Sequence, residues 1–449
     1  MRITVTRVFQ TGAVAALTVL AGCGGGSSGG GNGGTYNIGG TVIGMEKGGT
    51  VDLVSGSASL SVTSNGTFTF PAAVDNGTNY DVTIETAPTG QNCAVLNNGG
   101  EIDSASVTNV EAFCTMNVSP ATLNGDYEIA VYNISSDSDQ LYTAVPFNGS
   151  GTEGSSTVLT NQAGTTFTTS TDAGGTYAVT TVDALPALTI GANNVGAIAG
   201  ADGDEFYLVD NGNIGGSQPA LVLGVKPLQT ATSGALAGNW LAVGLTQATT
   251  PYGSEESIAI ASDGSFNGTE TTLDITGAAN TLSVSGPAGT YGVTNNVVSV
   301  EGNSGYISAN GEFAILTAVT QSGGGGVNYP GLTAMLKLGS GVTLATLSGV
   351  YSVGSMSYDN ASTGAGSTLT LFLDGAGNFT ATTTSNNNGS YSSGSASGTY
   401  SVTSSGVLTL TDSSGNVSTG GVTADGNIVE LAYLTAAAAA PEIFVGFRQ

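Results

Sequence analysis

The sequence predicts an all-β protein: an N-terminal β-sandwich followed by three tandem eight-stranded antiparallel meander barrels. Three observations lead to this fold class. Apolar residues alternate with Thr and Ser over short stretches, which is the period of a strand with one buried face. Gly, Asn and Asp separate these stretches at turn spacing, and 71 of the 449 residues are Gly. A unit of about 110 residues recurs three times after residue 119.

Charge is scarce and one-sided in this chain. There are 6 Lys and Arg against 32 Asp and Glu, a formal net charge of −26, and no His. Such a chain cannot neutralise nucleic-acid phosphates, so we expect no nucleic-acid partner. The absence of His excludes Ser-His-Asp and Cys-His catalysis and every His-ligated metal site. We therefore single out no catalytic residue and expect the protein not to be an enzyme.

The N-terminus carries an export signal. Two arginines precede an apolar run over residues 13–20, which is too short to span a bilayer and typical of a signal-peptide core. The run ends in Leu20-Ala21-Gly22-Cys23, which resembles the lipobox of bacterial lipoproteins. The resemblance implies that residues 1–22 are removed, that Cys23 is acylated, and that its acyl chains attach the protein to the membrane.

Residues 23–35 form a Gly/Ser-rich segment that we interpret as a flexible tether. Gly24 follows Cys23 at the place where lipoproteins retained in the inner membrane commonly have Asp. The resemblance therefore implies the outer membrane, with the protein lipid-anchored at its periplasmic face or at the cell surface.

With Cys23 assigned to lipid, Cys93 and Cys114 remain as an even pair in an exported protein, so we expect a disulfide. Both lie in residues 36–118, where alternation around Asn65-Gly66 predicts a hairpin within a small Ig-like β-sandwich. The order of its motifs resembles a module of bacterial surface lipoproteins, and the resemblance implies a structural role as a spacer or stalk.

The remaining chain divides into repeats at residues 119–229, 230–340 and 341–449. Each repeat begins with L-x-G-x-aromatic, has Gly-Thr-Tyr near its middle, and ends with Pro followed seven residues later by a cation. Beyond residue 47, these three cations are the only basic residues. The opening aromatics are Tyr127, Trp240 and Tyr351, and the closing cations are Lys226, Lys337 and Arg448.

Eight strands can be counted in the third repeat, joined by short turns, which predicts an antiparallel meander that closes into a barrel. The opening aromatic and the closing cation resemble the lipocalin and avidin-like (calycin) barrels, in which an early Trp is covered by a late Arg. The resemblance implies three structural pairs: Tyr127 with Lys226, Trp240 with Lys337, and Tyr351 with Arg448. The alternatives are core aromatics with solvated cations, or two four-stranded blades per repeat in a six-bladed propeller.

Calcium is the one cofactor for which the sequence offers candidate ligands. Asp202-Gly-Asp204-Glu205 and Asp137-Ser-Asp139 place carboxylates two residues apart, as calcium loops do, but neither continues into an EF-hand. Hairpin turns use the same residues, so turn chemistry is the default and no cofactor is expected. Glycosidase-type carboxylate pairs stay open, because no spacing singles one out.

Three functions follow from these observations. The first is a lipid-anchored, non-enzymatic envelope lipoprotein with a structural or partner-binding role. The second is a lipocalin-like carrier of a small apolar ligand, and the third is a glycan-binding or glycan-cleaving surface protein. An internal cavity of a few hundred Å³ would favour the carrier.

Overall fold

The structure is a computed structural model that describes residues 34–134, 138–164, 166–191, 194–198, 203–210, 219–287, 289–300, 303–319, 329–360, 363–387, 390–435 and 440–449. The leader, Cys23 and Gly24 lie outside these residues, as do Asp137 and Asp202. The predicted all-β class is confirmed, since the described residues contain strands and only three short 3₁₀ helices.

The N-terminal module is a two-sheet structure around its own apolar core. One sheet has the order β5-β2-β10-β8 and the other β4-β3-β7-β9, with β1 and β6 paired separately. Cys93 and Cys114 are cross-strand partners on β8 and β10 and form the expected disulfide. The strands are β1 (Thr35–Tyr36), β2 (Ile38–Ile43), β3 (Val51–Ser55), β4 (Ala58–Val62), β5 (Gly66–Thr69), β6 (Val74–Asp75), β7 (Asn79–Thr86), β8 (Gln91–Leu96), β9 (Gly99–Glu101) and β10 (Val107–Met116).

The third repeat, barrel 3, is a closed barrel of eight antiparallel strands in meander order. Its first strand pairs with both the second and the last, which removes the sheet edges. Its strands are β29 (Gly349–Asn360), β30 (Thr363–Leu373), β31 (Asn378–Asn387), β32 (Ser390–Val402), β33 (Val407–Asp412), β34 (Val417–Val422), β35 (Ile428–Tyr433) and β36 (Glu442–Arg448).

The first two repeats, barrels 1 and 2, are nine-stranded meanders in which the first and last strands also pair. Barrel 1 comprises β11 (Asn124–Asn133), β12 (Ser138–Asn148), β13 (Ser156–Gln162), β14 (Thr166–Asp172), β15 (Tyr177–Val182), β16 (Leu185–Ile190), β17 (Asn194–Ile198), β18 (Glu205–Asp210) and β19 (Ala220–Val225). Barrel 2 comprises β20 (Gly238–Thr246), β21 (Tyr252–Ile260), β22 (Phe266–Asp274), β23 (Ala279–Gly286), β24 (Gly292–Thr294), β25 (Val297–Val300), β26 (Asn303–Ile307), β27 (Phe313–Thr317) and β28 (Gly331–Lys337).

The ninth strand arises because the fourth strand of barrel 3 is divided in two in barrels 1 and 2. Continuous β32 pairs through its first part with β31 and through its end with β33. Barrel 1 instead has β14 and β15, which are not neighbours in the sheet and are separated by a stretch containing Gly174 and Gly175. In barrel 2 the corresponding break contains Pro287, which has no amide hydrogen for a ladder bond. Each repeat forms one sheet, not the two blades that a propeller requires.

The opening motif of each repeat closes one end of its barrel. A 3₁₀ helix precedes the first strand, at Pro120–Thr122, Ser233–Leu236 and Leu344–Leu347. The aromatic side chains hold these turns against the barrel: the Trp240 indole Nε1 donates to the Leu236 carbonyl at 2.7 Å, and the Tyr177 hydroxyl donates to the Pro120 carbonyl at 2.9 Å.

The three barrels pack against one another through the outer faces of the first strand and the last two strands of each barrel. These faces form one shared apolar cluster, the central core, which includes Leu223 of barrel 1, Ile315 of barrel 2 and Val445 of barrel 3. Side-chain hydrogen bonds cross between barrels at its rim. The Tyr207 hydroxyl lies 2.7 Å from Ser352 Oγ, and Thr419 Oγ1 donates to Glu255 Oε2 at 2.6 Å.

The N-terminal module packs against barrels 1 and 3. Ile43 and Phe113 of the module form a buried cluster with Ala184, Val350 and Phe372, and the rings of Phe113 and Phe372 meet edge to face at 5.5 Å. The module is therefore docked on the barrels, and the spacer or stalk role implied by the resemblance stays a prediction. The apolar character of its outer residues is the physical reason for the docking.

One buried carboxylate lies in the central core without a partner. Glu430 on β35 is fully buried, neither of its oxygens has a hydrogen bond among the described residues, and burial raises its pKa well above the ordinary value. Counted from the turn glycine of each repeat, the equivalent residues are Tyr207 and Ile315. Barrel 3 thus carries a carboxyl group where the other barrels carry large, mainly apolar side chains.

We expect Glu430→Ile to raise the free energy of unfolding, by about 2 kcal/mol at pH 8, because an unsatisfied buried polar group is removed. The gain should grow with pH: native Glu430 retains a proton that the unfolded chain releases, so native stability falls as pH rises above the ordinary Glu range. Urea unfolding at several pH values measures this. Glu430→Gln should remove the pH dependence and gain less stability, and a less stable Ile variant at pH 8 would contradict the assignment.

Candidate functional site

Barrel 1 contains a half-open cavity of about 300 Å³. Its walls belong to the interior cluster of that barrel, and most are aliphatic. The carboxylates of Glu153 and Asp172 and the ring of Tyr142 also line the cavity. The lining residues are Ile129, Val131, Tyr142, Val145, Glu153, Asp172, Ile190, Gly191, Leu208 and Val222.

Glu153 of the cavity lining stands where the other two barrels have an interior phenylalanine. In each repeat the tyrosine of the Gly-Thr-Tyr motif donates its amide hydrogen to a glycine carbonyl: Tyr177 to Gly151, Tyr291 to Gly264, and Tyr400 to Gly377. Two residues after that glycine stand Glu153, Phe266 and Phe379. The phenylalanines are buried in the interior clusters of barrels 2 and 3.

The aromatic contact of the motif tyrosine is supplied differently in barrel 1. Tyr177 meets Phe147 of β12 with ring centroids 5.0 Å apart, whereas Tyr291 of barrel 2 meets Phe266 of β22 at 5.1 Å. In barrel 1 the position equivalent to Phe266 is therefore not needed for this aromatic contact, and Glu153 is the residue at that position.

The break in the fourth strand brings the two carboxylates to the same part of the cavity. Asp172 is the last residue of β14, and its Oδ2 accepts a hydrogen bond from the Gly174 amide at 2.9 Å. Gly175 lies directly beneath Glu153, because a Cβ placed on Gly175 would come within 2.9 Å of Glu153 Oε1. The Glu153 amide donates to the Gly175 carbonyl at 3.1 Å, which fixes the segment against the break.

Burial and neighbouring negative charge raise the pKa values of Glu153 and Tyr142. Burial, then the charge of Asp172, raise the pKa of Glu153 to about 7. Burial, then the charges of Asp172 and Glu153, raise the pKa of Tyr142. A carboxylate that is both partly desolvated and close to a second carboxylate favours a proton or a cation as its neighbour.

Barrel 3 differs because side chains fill its interior. Tyr351, Phe379, Tyr400, Leu431 and Phe444 belong to one buried cluster inside it. Small barrels of eight strands are often filled by their own side chains, so the cavity of barrel 1 is a departure within the same chain.

The aromatic–cation residues lie together at the barrel ends. Lys337 Nζ is 5.7 Å from the centroid of the Trp240 ring, and the two residues are cross-strand partners, as are Tyr351 and Arg448. Arg448 also donates to the Ser348 carbonyl at 2.7 Å.

Each cation crosses the glycine of the opening motif, which explains why that position has no side chain. A Cβ on Gly238 would lie 2.8 Å from Lys337 Cε, and one on Gly349 would lie 2.8 Å from Arg448 Nε. In barrel 1 Lys226 makes a similar approach, since a Cβ on Gly125 would lie 3.5 Å from Lys226 Cε. These residues support the fold and do not line the cavity.

Two of the candidate calcium ligands, Asp139 and Asp204, lie within the described residues and make hydrogen bonds to other parts of the chain. Asp139 is buried and accepts a hydrogen bond from the Ala318 amide of barrel 2, and the Asp204 carbonyl accepts from the Lys226 amide. Within the described residues, no group of three or more His, Cys, Asp or Glu side chains could hold a metal ion. No helix in that same part of the chain has the length and hydropathy needed to cross a membrane.

Glu153 and Asp172 were not singled out by sequence reasoning. A partial signal was present, because Glu153 and Phe266 both lie 28 residues after the glycine of the opening motif, Gly125 and Gly238. A charged residue at an apolar repeat position indicates a local change of environment, but the equivalence with Phe379 becomes clear only from the backbone hydrogen bonds of the motif tyrosines.

No protein-family model matches the chain, and no curated protein matches it in sequence. Among solved structures it is similar to a mutant of the vaccine antigen transferrin binding protein B from Haemophilus parasuis Hp5, with 9% identity, 92% of this chain and 86% of that chain covered, and a TM-score of 0.24. It is also similar to a protein of unknown function from Nostoc punctiforme, with 10% identity, 74% and 100% covered, and a TM-score of 0.12. At these TM-scores neither similarity assigns a topology or a function to this chain.

We expect Glu153→Phe to stabilise barrel 1 by about 1 kcal/mol at pH 8, because the variant removes a partly solvent-screened carboxylate and adds apolar burial. The gain should shrink as pH falls through about 7, where native Glu153 takes up its proton, and be smallest below about 4.5. Denaturant unfolding at pH 5 and pH 8 measures this.

Glu153→Gln is the matched control for this prediction, since it removes the charge without adding a ring. A pH-independent effect of Glu153→Phe, or a loss of stability at pH 8, would show that burial and the charge of Asp172 do not destabilise the ionised Glu153 carboxylate.

Proposed function

We propose that this chain is a lipid-anchored, non-enzymatic binding protein of the cell envelope, and that barrel 1 holds a small ligand with an apolar body. The observation that carries the proposal is the cavity of about 300 Å³ in barrel 1, bounded by Val131, Val145, Leu208 and Val222. Ligand pockets are concave, mainly apolar, and contain a few placed polar groups, which describes this lining.

The polar groups of the cavity are concentrated, which supports a ligand with one polar end. Glu153 and Asp172 lie beside the break between β14 and β15, and the rest of the wall is aliphatic apart from Tyr142. A sugar ring carries hydroxyl groups all around it and needs partners on several sides. The glycan-cleaving alternative is therefore less well supported than the carrier, although it also requires two carboxylates.

Anchoring rests on the sequence. Leu20-Ala21-Gly22-Cys23 ends an apolar leader, and several acyl chains on one cysteine give stable attachment where a single chain does not. The docked N-terminal module and the tether would then hold the barrels at the outer membrane.

The neutral apolar dye N-phenyl-1-naphthylamine should bind in barrel 1 and increase its fluorescence. Val131→Phe should weaken binding at least tenfold by filling the cavity, since Val131 is a buried wall residue. Val182→Phe is the matched control, because Val182 is in the same barrel and 67% exposed. Equal binding by both variants would place the dye elsewhere and remove the support for a carrier.

Cys23→Ala should release the protein from the membrane fraction into the periplasmic or culture fraction, because the acylated sulfur is lost. Fractionation with immunodetection measures this, and Cys93→Ala controls for loss of an unrelated cysteine. Continued sedimentation of the Cys23 variant with membranes would overturn the anchor.

A further inference from the structure

We propose that the ligand of barrel 1 is a small organic cation, an amine with an apolar body, whose ammonium group lies between Glu153 and Asp172. This inference rests on the proposed function and specifies the class of ligand. It follows from where the charges of the cavity are, what surrounds them, and what the other repeats have at the same positions.

The cavity contains negative charge that no protein cation balances. Its lining includes Glu153 and Asp172 and no basic residue. The basic residues of the described chain are elsewhere: Lys47 is in the N-terminal module, and the others cross the opening glycines at the barrel ends. A ligand ammonium group would supply the opposite charge and form charge-assisted hydrogen bonds.

The lining also provides an aromatic face for a cation. Tyr142 lines the cavity. Its hydroxyl proton is already used, because the hydroxyl donates to Gln140 Oε1 at 3.3 Å. A cation over a tyrosine ring gains about 0.5–2 kcal/mol, depending on desolvation. The aliphatic wall formed by Ile129, Val131 and Leu208 would receive the apolar body.

Barrels 2 and 3 indicate that the acidic pair is not a requirement of the fold. Phe266 and Phe379 replace Glu153, and the residue five before the motif tyrosine is Asp172 in barrel 1, Gly286 in barrel 2 and Ser395 in barrel 3. Both acidic residues therefore occur together only in the barrel with the described cavity. A structural role would be expected in all repeats, whereas a ligand role requires only one.

The net charge of the chain favours the same class of ligand. At −26, the protein attracts cations from solution and repels anions, which raises the local concentration of an amine at the cavity mouth. The volume of about 300 Å³ accommodates one aromatic ring with a short aminoalkyl chain.

Titration calorimetry with three matched probes tests the inference: phenethylamine, 2-phenylethanol and 3-phenylpropionate. At pH 8 the amine should bind at least about tenfold more tightly than the alcohol, and the acid most weakly. Glu153→Gln and Asp172→Asn should each reduce amine affinity about tenfold and leave the alcohol unchanged. Glu85→Gln, which removes one exposed carboxylate from the N-terminal module, should change neither affinity.

Amine affinity should also fall as pH decreases through about 7, while alcohol affinity stays constant. The groups that face Glu153 are Asp172 from β14 and Tyr142 from β12. Glu153 changes charge in this range, whereas the pKa of Tyr142 is raised from an already alkaline value. In Glu153→Gln this pH dependence should be lost, which separates a charge effect from a change in cavity shape.

The outcomes distinguish the two proposals. Equal affinities for amine and alcohol, both lost in Val131→Phe, would overturn the cation inference and leave the carrier standing. Failure of the three probes and of N-phenyl-1-naphthylamine to bind would overturn both. An amine preference unaffected by Glu153→Gln and Asp172→Asn would place cation binding at another acidic surface and overturn the site.

Discussion

Burial of both faces of the same strands is the constraint on which the rest of this structure depends. In an isolated barrel the outer face of each strand meets water. Here the outer faces of β19, β27, β35 and β36 are buried in the central core, while their inner faces line the barrels. Every residue of β19 and β27 is buried as a result. Such strands cannot carry many charges without large desolvation costs, which accounts in part for a chain with only 8% charged residues.

Because of this constraint, the structural differences between repeats lie on the side of each barrel away from the central core. β14 and β23 lie far from the central core and are exposed along most of their length. It is there that the hydrogen-bonded sheet opens in barrels 1 and 2, because the local cost of losing ladder bonds is reduced where water can replace them. A cavity beside this break can change its lining without disturbing the packing between barrels, and the Glu153 position is next to it.

Much of the architecture was accessible from sequence because it is repeated and local. Alternation and turn residues predicted the strands, and the three opening aromatics and closing cations predicted which strands meet. The nine-stranded form of barrels 1 and 2 was not predicted. The strands were counted in the third repeat, in which β32 is continuous and has no break like those at Gly174-Gly175 and Pro287. The central core could not be found from periodicity, since a strand buried on both faces simply lacks alternation, as β36 does. Docking of the N-terminal module depends on distant contacts such as Phe113 with Phe372, for which the sequence holds no local signal.

The site shows how repetition separates stability from function within one chain. Three copies of a fold need equivalent packing at their shared core, so Leu223, Ala334 and Val445 remain apolar there. Interior positions away from that core are under weaker constraint, and a substitution in one copy leaves the other two barrels to support the assembly. Glu153 in barrel 1 and Glu430 in the central core both depart from their repeat equivalents, yet they differ in kind. Glu430 is fully buried and neither of its carboxylate oxygens has a hydrogen bond among the described residues, whereas Glu153 lines a cavity of about 300 Å³. Access to a space, more than burial of a charge, is therefore what distinguishes the Glu153 position from the Glu430 position.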